Sequence, residues 1–286
     1  MDDFPEFTLA LGKYVEDFVN YLAKTFASFF DFIFVVSSKT MNGIEFVLVS
    51  MPWWLFIAII FALGWYFKNV LTGITFAIFI FLIGSFGLWD DMMTTIAIIV
   101  TAVAISLLIG IPIGIWMAFS TIVSKIIQPI LDAMQTMPSF VYLIPGIFFF
   151  GLGNVSAVFA TLIYATPPVI RLTELAIREV DEEVIESALS FGSSKGQILR
   201  KVQLPQALPT IMAGVNQTTM MALAMVVIAS MVGASGLGEQ VLISINRIDI
   251  ALGFEAGISI VFLAIIIDRI TSGVADRFQK HRRIEQ

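Results

Sequence analysis

Side chains able to do acid–base, nucleophilic or metal chemistry are scarce in this sequence. Its 286 residues include no cysteine, which excludes disulfides, thiolate metal sites and cysteine nucleophiles. The single histidine, His281, lies in the basic stretch FQKHRR, where a solvated side chain is the simplest interpretation. No Gly-x-x-x-x-Gly-Lys-Ser/Thr segment occurs, so the chain has no Walker loop for ATP. We therefore expect no catalytic site, no metal and no cofactor on this chain.

One of the most polar stretches, ESALSFGSSKGQILRKVQLP at 186–205, has instead the pattern of two short helices joined by a hinge. Asp181 is placed to cap the first helix, and Gly192 can supply the left-handed residue that ends it. Ser194, with a Gln three residues later, has the spacing of a capping box and predicts a second helix. We expect Pro205 to stop that helix and turn the chain back. An ordinary loop is the simpler alternative.

The remaining sequence has the composition of an integral membrane protein. Hydrophobic residues make up 58% of the chain and charged residues 13%, about half the charge of a soluble domain. A spanning helix needs about twenty mostly apolar residues. Stretches of this kind begin at Pro52, Val70, Met93, Met137, Val155, Leu208 and Ala251. The predicted fold class is an all-α membrane protein with about seven transmembrane helices.

Residues 1–50 follow another pattern, in which charges recur among apolar residues at helical spacing. This pattern predicts one or two amphipathic helices at the membrane interface. A short additional membrane segment around 29–36 is the alternative. The start, MDDFPEF, lacks the basic region of a cleavable signal peptide, so we expect internal helices to hold the chain in the membrane.

Basic residues predict the orientation. With residues 176–205 in the cytoplasm and seven alternating helices, all but four of the 16 Lys and Arg residues fall inside, as the positive-inside rule requires. The exceptions are Lys13, Lys24, Lys39 and Arg247. This predicts a multi-pass membrane protein with its N-terminus outside and its C-terminus inside.

The glycine and methionine patterns are explained more simply by helix packing and helix breaks than by ligand binding. GIPIG at 110–114 has small residues four apart, which predicts close packing of helices within the chain. GLGNVS at 151 and GASGLGE at 233 lack the strand–turn–helix setting of a nucleotide site and are interpreted as helix breaks at the outer surface. Met220, Met221 and Met225 are expected in helix packing, and the alternative is that their soft, adaptable side chains line a pathway.

The spacing of the polar stretch resembles the EAA loop of ABC-importer permeases. That loop carries Glu-Ala-Ala, a Gly after three more residues, and a hydrophobic residue two before Leu-Pro. Ser187 replaces the first Ala here, and Val202 stands for the usual Ile. Further segments, such as LDAMQTMPSFVYLIPG and KVQLPQALPTIMAGVNQTTMMALAMVV, resemble the permeases of glycine betaine importers of the ProW and OpuAB type. The similarity covers roughly residues 50–275.

This resemblance implies a homodimeric permease, two ATPase subunits that bind ATP and Mg, and an extracytoplasmic substrate-binding protein. It implies a five-helix type I importer (MetI-like) core at 93–275, with a coupling loop at 176–205, in the bacterial cytoplasmic membrane. The sequence patterns described above add an N-terminal amphipathic segment at 1–50, two peripheral transmembrane helices in 51–92 and a basic cytoplasmic tail at 276–286. The residues expected to couple the permease to the ATPase are Glu186, Ser187, Ala188, Leu189, Gly192, Val202, Leu204 and Pro205.

The substrate implied is glycine betaine or a related quaternary ammonium solute taken up for osmoprotection, with choline, carnitine or another small solute left open. Aromatic cages hold such cations by cation–π contacts, and in this family the cage belongs to the binding protein. Residues 93–124, 137–170 and 202–238 contain no Asp, Glu, Lys, Arg or His, which suits a zwitterion. The candidate pathway residues are Met134, Gln135, Met137, Pro138, Tyr142, Asn216 and Thr219.

Two other classes of protein fit less well. An ion-coupled secondary transporter needs ionisable residues near the middle of the membrane, and the three long segments just named have none. A membrane-embedded enzyme needs a nucleophile–base pair or a metal cluster, whereas the carboxylates here gather in the loops.

Overall fold

The computed structural model describes residues 11–284 and the side chains of residues 12–275. The first ten residues and the side chains of the predicted basic tail, His281 included, lie outside the described residues. Throughout the described range the regular elements are helices. They are α1 Leu11–Thr25, α2 Ala27–Ser50, α3 Trp53–Phe67, α4 Val70–Ser85, α5 Trp89–Phe119, α6 Thr121–Thr136, α7 Leu143–Phe150, α8 Asn154–Arg178, α9 Glu182–Ser190, α10 Lys195–Ile198, α11 Leu204–Ser230, α12 Leu237–Arg247 and α13 Ile250–Ile284.

Helices α5, α8 and α11 form the centre of the bundle, and α5 packs closely against α8. A Cβ on Gly110 would lie 2.5 Å from Val169 Cγ1, and one on Gly114 would lie 2.6 Å from the carbonyl oxygen of Ile170. These distances leave no room for a side chain, so the two glycines let the helices approach closely. The small-residue spacing in GIPIG therefore packs α5 against α8 within one chain, as predicted.

The two ends of the bundle differ. At one, which we call the α9 end, α8 finishes and α9 and α10 project outwards. At the other, the far end, α5 and α8 begin and α11 gives way to α12. The Ser235 N–H donates to Asn154 Oδ1 at 2.8 Å, and the Leu237 N–H donates to Thr95 Oγ1 at 2.9 Å. The predicted helix breaks are confirmed here by positive φ at Gly151, Gly153, Gly233 and Gly236.

Five described helices are long and apolar enough to cross a membrane: 27–50, 89–119, 154–178, the continuous run 195–230, and 250–275. A sixth candidate is α6 with 139–150, bent by 111°. The span predicted from Met137 is therefore only half of a bent pair. Met137 precedes a proline, which disfavours helical backbone, and its ψ of 136° ends α6.

Two of the seven predicted spans, α3 and α4, have only 15 and 16 residues, fewer than the ~20 that a perpendicular crossing needs. They pack against each other, since a Cβ on Gly73 would lie 2.7 Å from the carbonyl oxygen of Phe61. Phe79 of α4 stacks on Phe262 of α13, with ring centroids 4.1 Å apart. The pair thus lies beside the central helices, and its membrane crossing stays a prediction.

Helix α2 is long and apolar enough to cross a membrane, but it runs across one end of the bundle. Phe30 near its start stacks on Phe149 of α7, with ring centroids 4.1 Å apart. Leu48 near its end packs against the cluster that includes Leu88 and Met92. Both contacts belong to the far end, yet a helix of 24 residues is about 36 Å long. A helix with both ends at the same end of the bundle lies obliquely there, and the predicted interfacial placement of residues 1–50 stays a prediction.

Candidate functional site

The polar stretch folds as two short helices that meet at a glycine. The Asp181 side chain accepts a hydrogen bond from the Glu183 N–H at 3.0 Å and caps α9. Gly192 has φ +77°, a left-handed conformation that ends the helix without steric cost only for glycine. The Ser194 N–H donates to Gln197 Oε1 at 2.8 Å, which is one half of the capping box of α10. The predicted local structure is confirmed at each of these positions.

The expectation that Pro205 stops the second helix is wrong. Residues 199–203 form a π turn, in which the Leu204 N–H bonds to the Leu199 carbonyl five residues earlier, and the helix continues as α11. A proline in a regular helix removes one N–H bond and its ring collides with the carbonyl four residues earlier. Pro205 lies directly after the π turn, in the first turn of α11, where proline is tolerated, and α10, the π turn and α11 form one uninterrupted helical run.

The unit from α9 to α10 projects apolar side chains away from the bundle. None of the residues of α9 is buried. Phe191 is 90% exposed, the highest value among the large hydrophobic side chains of the described chain, and Leu189 is 51% exposed. Sequence reasoning missed Phe191, although an aromatic residue just before the hinge glycine of a polar stretch was a usable signal.

The predicted coupling residues divide into two groups by burial. Glu186, Ser187 and Leu189 are exposed on α9, and Ala188 is half-buried. Val202 and Leu204 are half-buried at the root of the unit, where Leu204 packs against a cluster formed by α8 and α11. Gly192 and Pro205 are exposed. One group is therefore available to a partner, and the other fixes the unit to the bundle.

Five of the predicted pathway residues lie together at the bend after α6. Gln135, Met137 and Pro138 are exposed, and Met134 is half-buried. Tyr142 is buried, and its hydroxyl donates to the carbonyl oxygen of Met134, which closes the bend. The structure thus assigns Tyr142 to holding the shape of this segment, with Gln135, Met137 and Pro138 on its surface.

Asn216 and Thr219 do not join that surface. The Asn216 side-chain amide donates to Asp268 Oδ1 at 3.1 Å and accepts from the Thr271 hydroxyl, so it ties α11 to α13. Thr219 is buried, and its hydroxyl donates to the Val215 carbonyl of its own helix at 2.8 Å. A sequence shows that a polar residue lies in a span but not which neighbouring helix supplies its partner.

Another face of α11 is exposed and includes Met220, for which the prediction of helix packing is therefore wrong. Ala213, Gln217, Met220 and Ala224 recur at helical spacing and are all exposed. Met225, in contrast, is fully buried beside Tyr142, as expected for packing. Within the described residues, no three His, Asp or Glu side chains come close enough to hold a metal ion.

The described residues form a helical bundle, with helices apolar enough to cross a membrane, from which two short helices project at one end. Residues 110–284 match the family described as "Binding-protein-dependent transport system inner membrane component". The chain belongs to this family.

Three curated relatives sharpen the assignment. The chain is 44% identical over 274 residues to the glycine betaine/proline betaine permease ProW of Escherichia coli K12, covering 96% of this chain and 77% of ProW. It is 45% identical over 274 residues to the glycine betaine permease OpuAB of Bacillus subtilis 168, covering 96% of each. It is 46% identical over 270 residues to the glycine betaine/carnitine permease GbuB of Listeria monocytogenes, covering 92% and 95%. The resemblance read from the sequence is confirmed.

Solved structures agree on the fold. The MetNI methionine ABC transporter, in an inward-facing conformation, matches with a TM-score of 0.60 at 21% identity, covering 64% of this chain and 92% of that one. An amino acid ABC transporter solved with histidines matches with a TM-score of 0.54 at 22% identity, covering 70% and 94%. The all-α fold of a type I importer permease is thereby confirmed, whereas the predicted count of seven spans stays a prediction.

Proposed function

We propose that this chain is the transmembrane subunit of an ATP-driven importer for glycine betaine or a closely related solute. The observation that carries the proposal is the projecting unit from α9 to α10. ATP hydrolysis on a separate subunit has to displace membrane helices, and this requires a rigid element that the ATPase can grip. A capped helix, braced through a left-handed glycine by a second helix that continues into α11, supplies such an element.

The chemistry of the unit indicates the kind of surface that receives it. Phe191 and Leu189 offer exposed apolar area, and buried aromatic anchors dominate the binding energy of many interfaces. Glu182, Glu183 and Glu186 are exposed on the same short helix. We expect the ATPase to present an apolar pocket rimmed by Lys or Arg side chains.

The relatives support the substrate assignment. ProW, OpuAB and GbuB are named for glycine betaine, with proline betaine or carnitine beside it in two cases. Less similar relatives, 31–36% identical, are named for trimethylamine N-oxide, carnitine and choline. All these solutes carry a fully substituted nitrogen. Glycine betaine leads because the relatives at 44–46% identity share it, and carnitine or choline is the alternative.

The proposed assembly contains two copies of this chain, two ATPase subunits and an extracytoplasmic binding protein. ATP and Mg bind to the ATPase subunits, and this chain catalyses no reaction itself. The α9 end faces the cytoplasm and the far end faces outwards. The course of α2 across the far end supports an N-terminal segment on the outer face, in agreement with the distribution of basic residues.

Uptake in proteoliposomes tests this proposal. The chain is reconstituted with its ATPase and binding protein, and labelled glycine betaine is supplied outside with ATP inside. We expect ATP-dependent uptake, competed by proline betaine and carnitine but not by methionine. Competition by amino acids without competition by betaines would contradict the substrate assignment. Uptake driven by an ion gradient without ATP would contradict the importer class.

A further inference from the structure

A buried carboxylate lies where α8 leads towards α9. Glu174 is 5% exposed and lies one turn before Arg178, the last residue of α8. Its Oε1 accepts a hydrogen bond from Ser124 Oγ at 2.7 Å and lies 3.0 Å from Arg178 Nη2. The same Nη2 donates to the carbonyl oxygen of Met117 at 2.8 Å. Groups from α5, α6 and α8 therefore meet at one point, which we call the Glu174 brace.

Each contact of the Glu174 brace has a physical reason. The Met117 carbonyl lies in the last turn of α5, where carbonyls lack partners within the helix and a positive charge is favoured. A buried carboxylate is costly unless it is paired and hydrogen-bonded, and Ser124 and Arg178 meet both needs. Hydrogen bonds have preferred directions, so they fix the mutual position of three helix ends more narrowly than apolar packing does.

Helix α6 links this brace to the bend that carries the predicted pathway residues. Ser124 lies in the first turn of α6, and Met134 lies in its last turn, beside the bend. Between them, Leu131 packs in one apolar cluster with Met117 of α5 and Ile170 of α8. The C-terminal half of α6 makes a second polar contact with α8, an ion pair between Asp132 and Arg171. Helix α6 is thus held against α8 along its length.

We propose that Glu174 is a positioning residue for transport. Together with Ser124 and Arg178, Glu174 joins the root of the projecting unit to α6. When the ATPase displaces α9, α6 and the bend at Met137 therefore move with it. Without the brace, α9 moves while α6 lags. The inference rests on the proposed function and adds the route by which the displacement reaches the solute pathway.

The test uses Glu174→Gln, which keeps the shape and can still accept from Ser124 but removes the charge that holds Arg178. Glu179→Gln is the matched control, since Glu179 is an exposed carboxylate one residue after the end of α8. Both variants are reconstituted with the ATPase and binding protein, and glycine betaine uptake is measured together with ATP hydrolysis. We expect Glu174→Gln to keep complex assembly and the KM for ATP while glycine betaine moved per ATP falls about three- to tenfold.

Ser124→Ala decides the question if Glu174→Gln does not assemble. It removes one hydrogen bond, leaves the ion pair, and should lower the same ratio about twofold. An unchanged ratio in the assembled variants would contradict the role of Glu174, as would a loss of uptake that only follows a loss of complex. Absence of ATP-dependent uptake in the unsubstituted complex would instead overturn the proposed function.

Discussion

The seam between α5 and α8 and the hinge between α9 and α10 both depend on glycine, for opposite reasons. Gly114 has a right-handed helical backbone but no space, since a Cβ there would lie 2.6 Å from the Ile170 carbonyl oxygen. Gly192 has no atom within 4 Å of the position of a Cβ but has φ +77°. The first glycine is required by packing and the second by backbone conformation. We therefore expect the seam to determine stability and the hinge to determine coupling.

The largest effect is expected at the seam. Gly114→Val places branched atoms against the α8 backbone, which cannot yield as a flexible side chain can. Overpacking of this kind costs about 1–3 kcal/mol and sometimes more. We expect a strong loss of folded protein, measured by size-exclusion chromatography in detergent and by thermal unfolding.

Gly257→Ala serves as the control for that variant. Gly257 is also helical, but nothing lies within 4 Å of its Cβ position. Alanine is favoured over glycine in a helix interior by about 1 kcal/mol, so an unchanged or slightly raised unfolding temperature is expected. Equal losses of folded protein in Gly114→Val and Gly257→Ala would contradict the claim that close packing of α5 on α8 requires glycine at position 114.

The hinge is expected to respond differently. Gly192→Val forces a β-branched residue into the left-handed region, at a cost of about 1–3 kcal/mol, and this tilts α9 relative to α10. Because the site is exposed, we expect normal folding but little transport per ATP hydrolysed. Gly192→Asn should retain most of the coupling, since asparagine tolerates this conformation. Equal transport by the valine and asparagine variants would contradict a conformational role for Gly192.

The same comparison shows what the sequence could predict. The cap at Asp181, the hinge at Gly192 and the capping box at Ser194 rest on local rules that involve residues close in sequence, and all three predictions are confirmed. The π turn before Pro205 follows no such local rule, and the proline there predicted a stop where the helical run continues into α11.

The candidate pathway divides in the same way. Met134 to Tyr142 are contiguous, and the structure keeps them together at one bend. For Asn216, the sequence does not show that Asp268 and Thr271 on another helix hold its side-chain amide. The short helix α12, with 11 residues after a glycine-rich break, was not predicted from the sequence.

A smaller effect is expected from Asn216→Leu. The substitution removes the hydrogen bonds to Asp268 and Thr271 and leaves the Asp268 carboxylate without its amide partner. Loss of a partner costs about 1–3 kcal/mol for a fully buried group, and less is expected here because Asn216 and Asp268 are half-buried. We expect a lower unfolding temperature with glycine betaine transport per folded complex unchanged. A selective loss of substrate affinity would instead support the prediction that Asn216 lines the substrate pathway.

The smallest effect is expected from the basic tail. Deletion of residues 280–286 removes Lys280, His281, Arg282 and Arg283, which the sequence predicts to attract anionic lipid by about 1 kcal/mol per basic residue. If the tail only anchors the last helix, transport activates at the same salt concentration as in the full chain. A shifted salt threshold in proteoliposomes containing anionic lipid would make the tail an ionic-strength sensor.

Co-purification of the ATPase subunit tests whether the unit from α9 to α10 binds that subunit. Phe191→Ala and Glu186→Lys are compared with Phe191→Tyr. The first variant removes the exposed anchor and the second reverses a charge on α9, and neither touches the membrane helices. We expect both variants to fold and insert but to retain little ATPase subunit and to show no substrate-stimulated hydrolysis, while Phe191→Tyr retains both. Wild-type ATPase retention and transport in Phe191→Ala and Glu186→Lys would contradict the claim that the unit from α9 to α10 couples the two subunits.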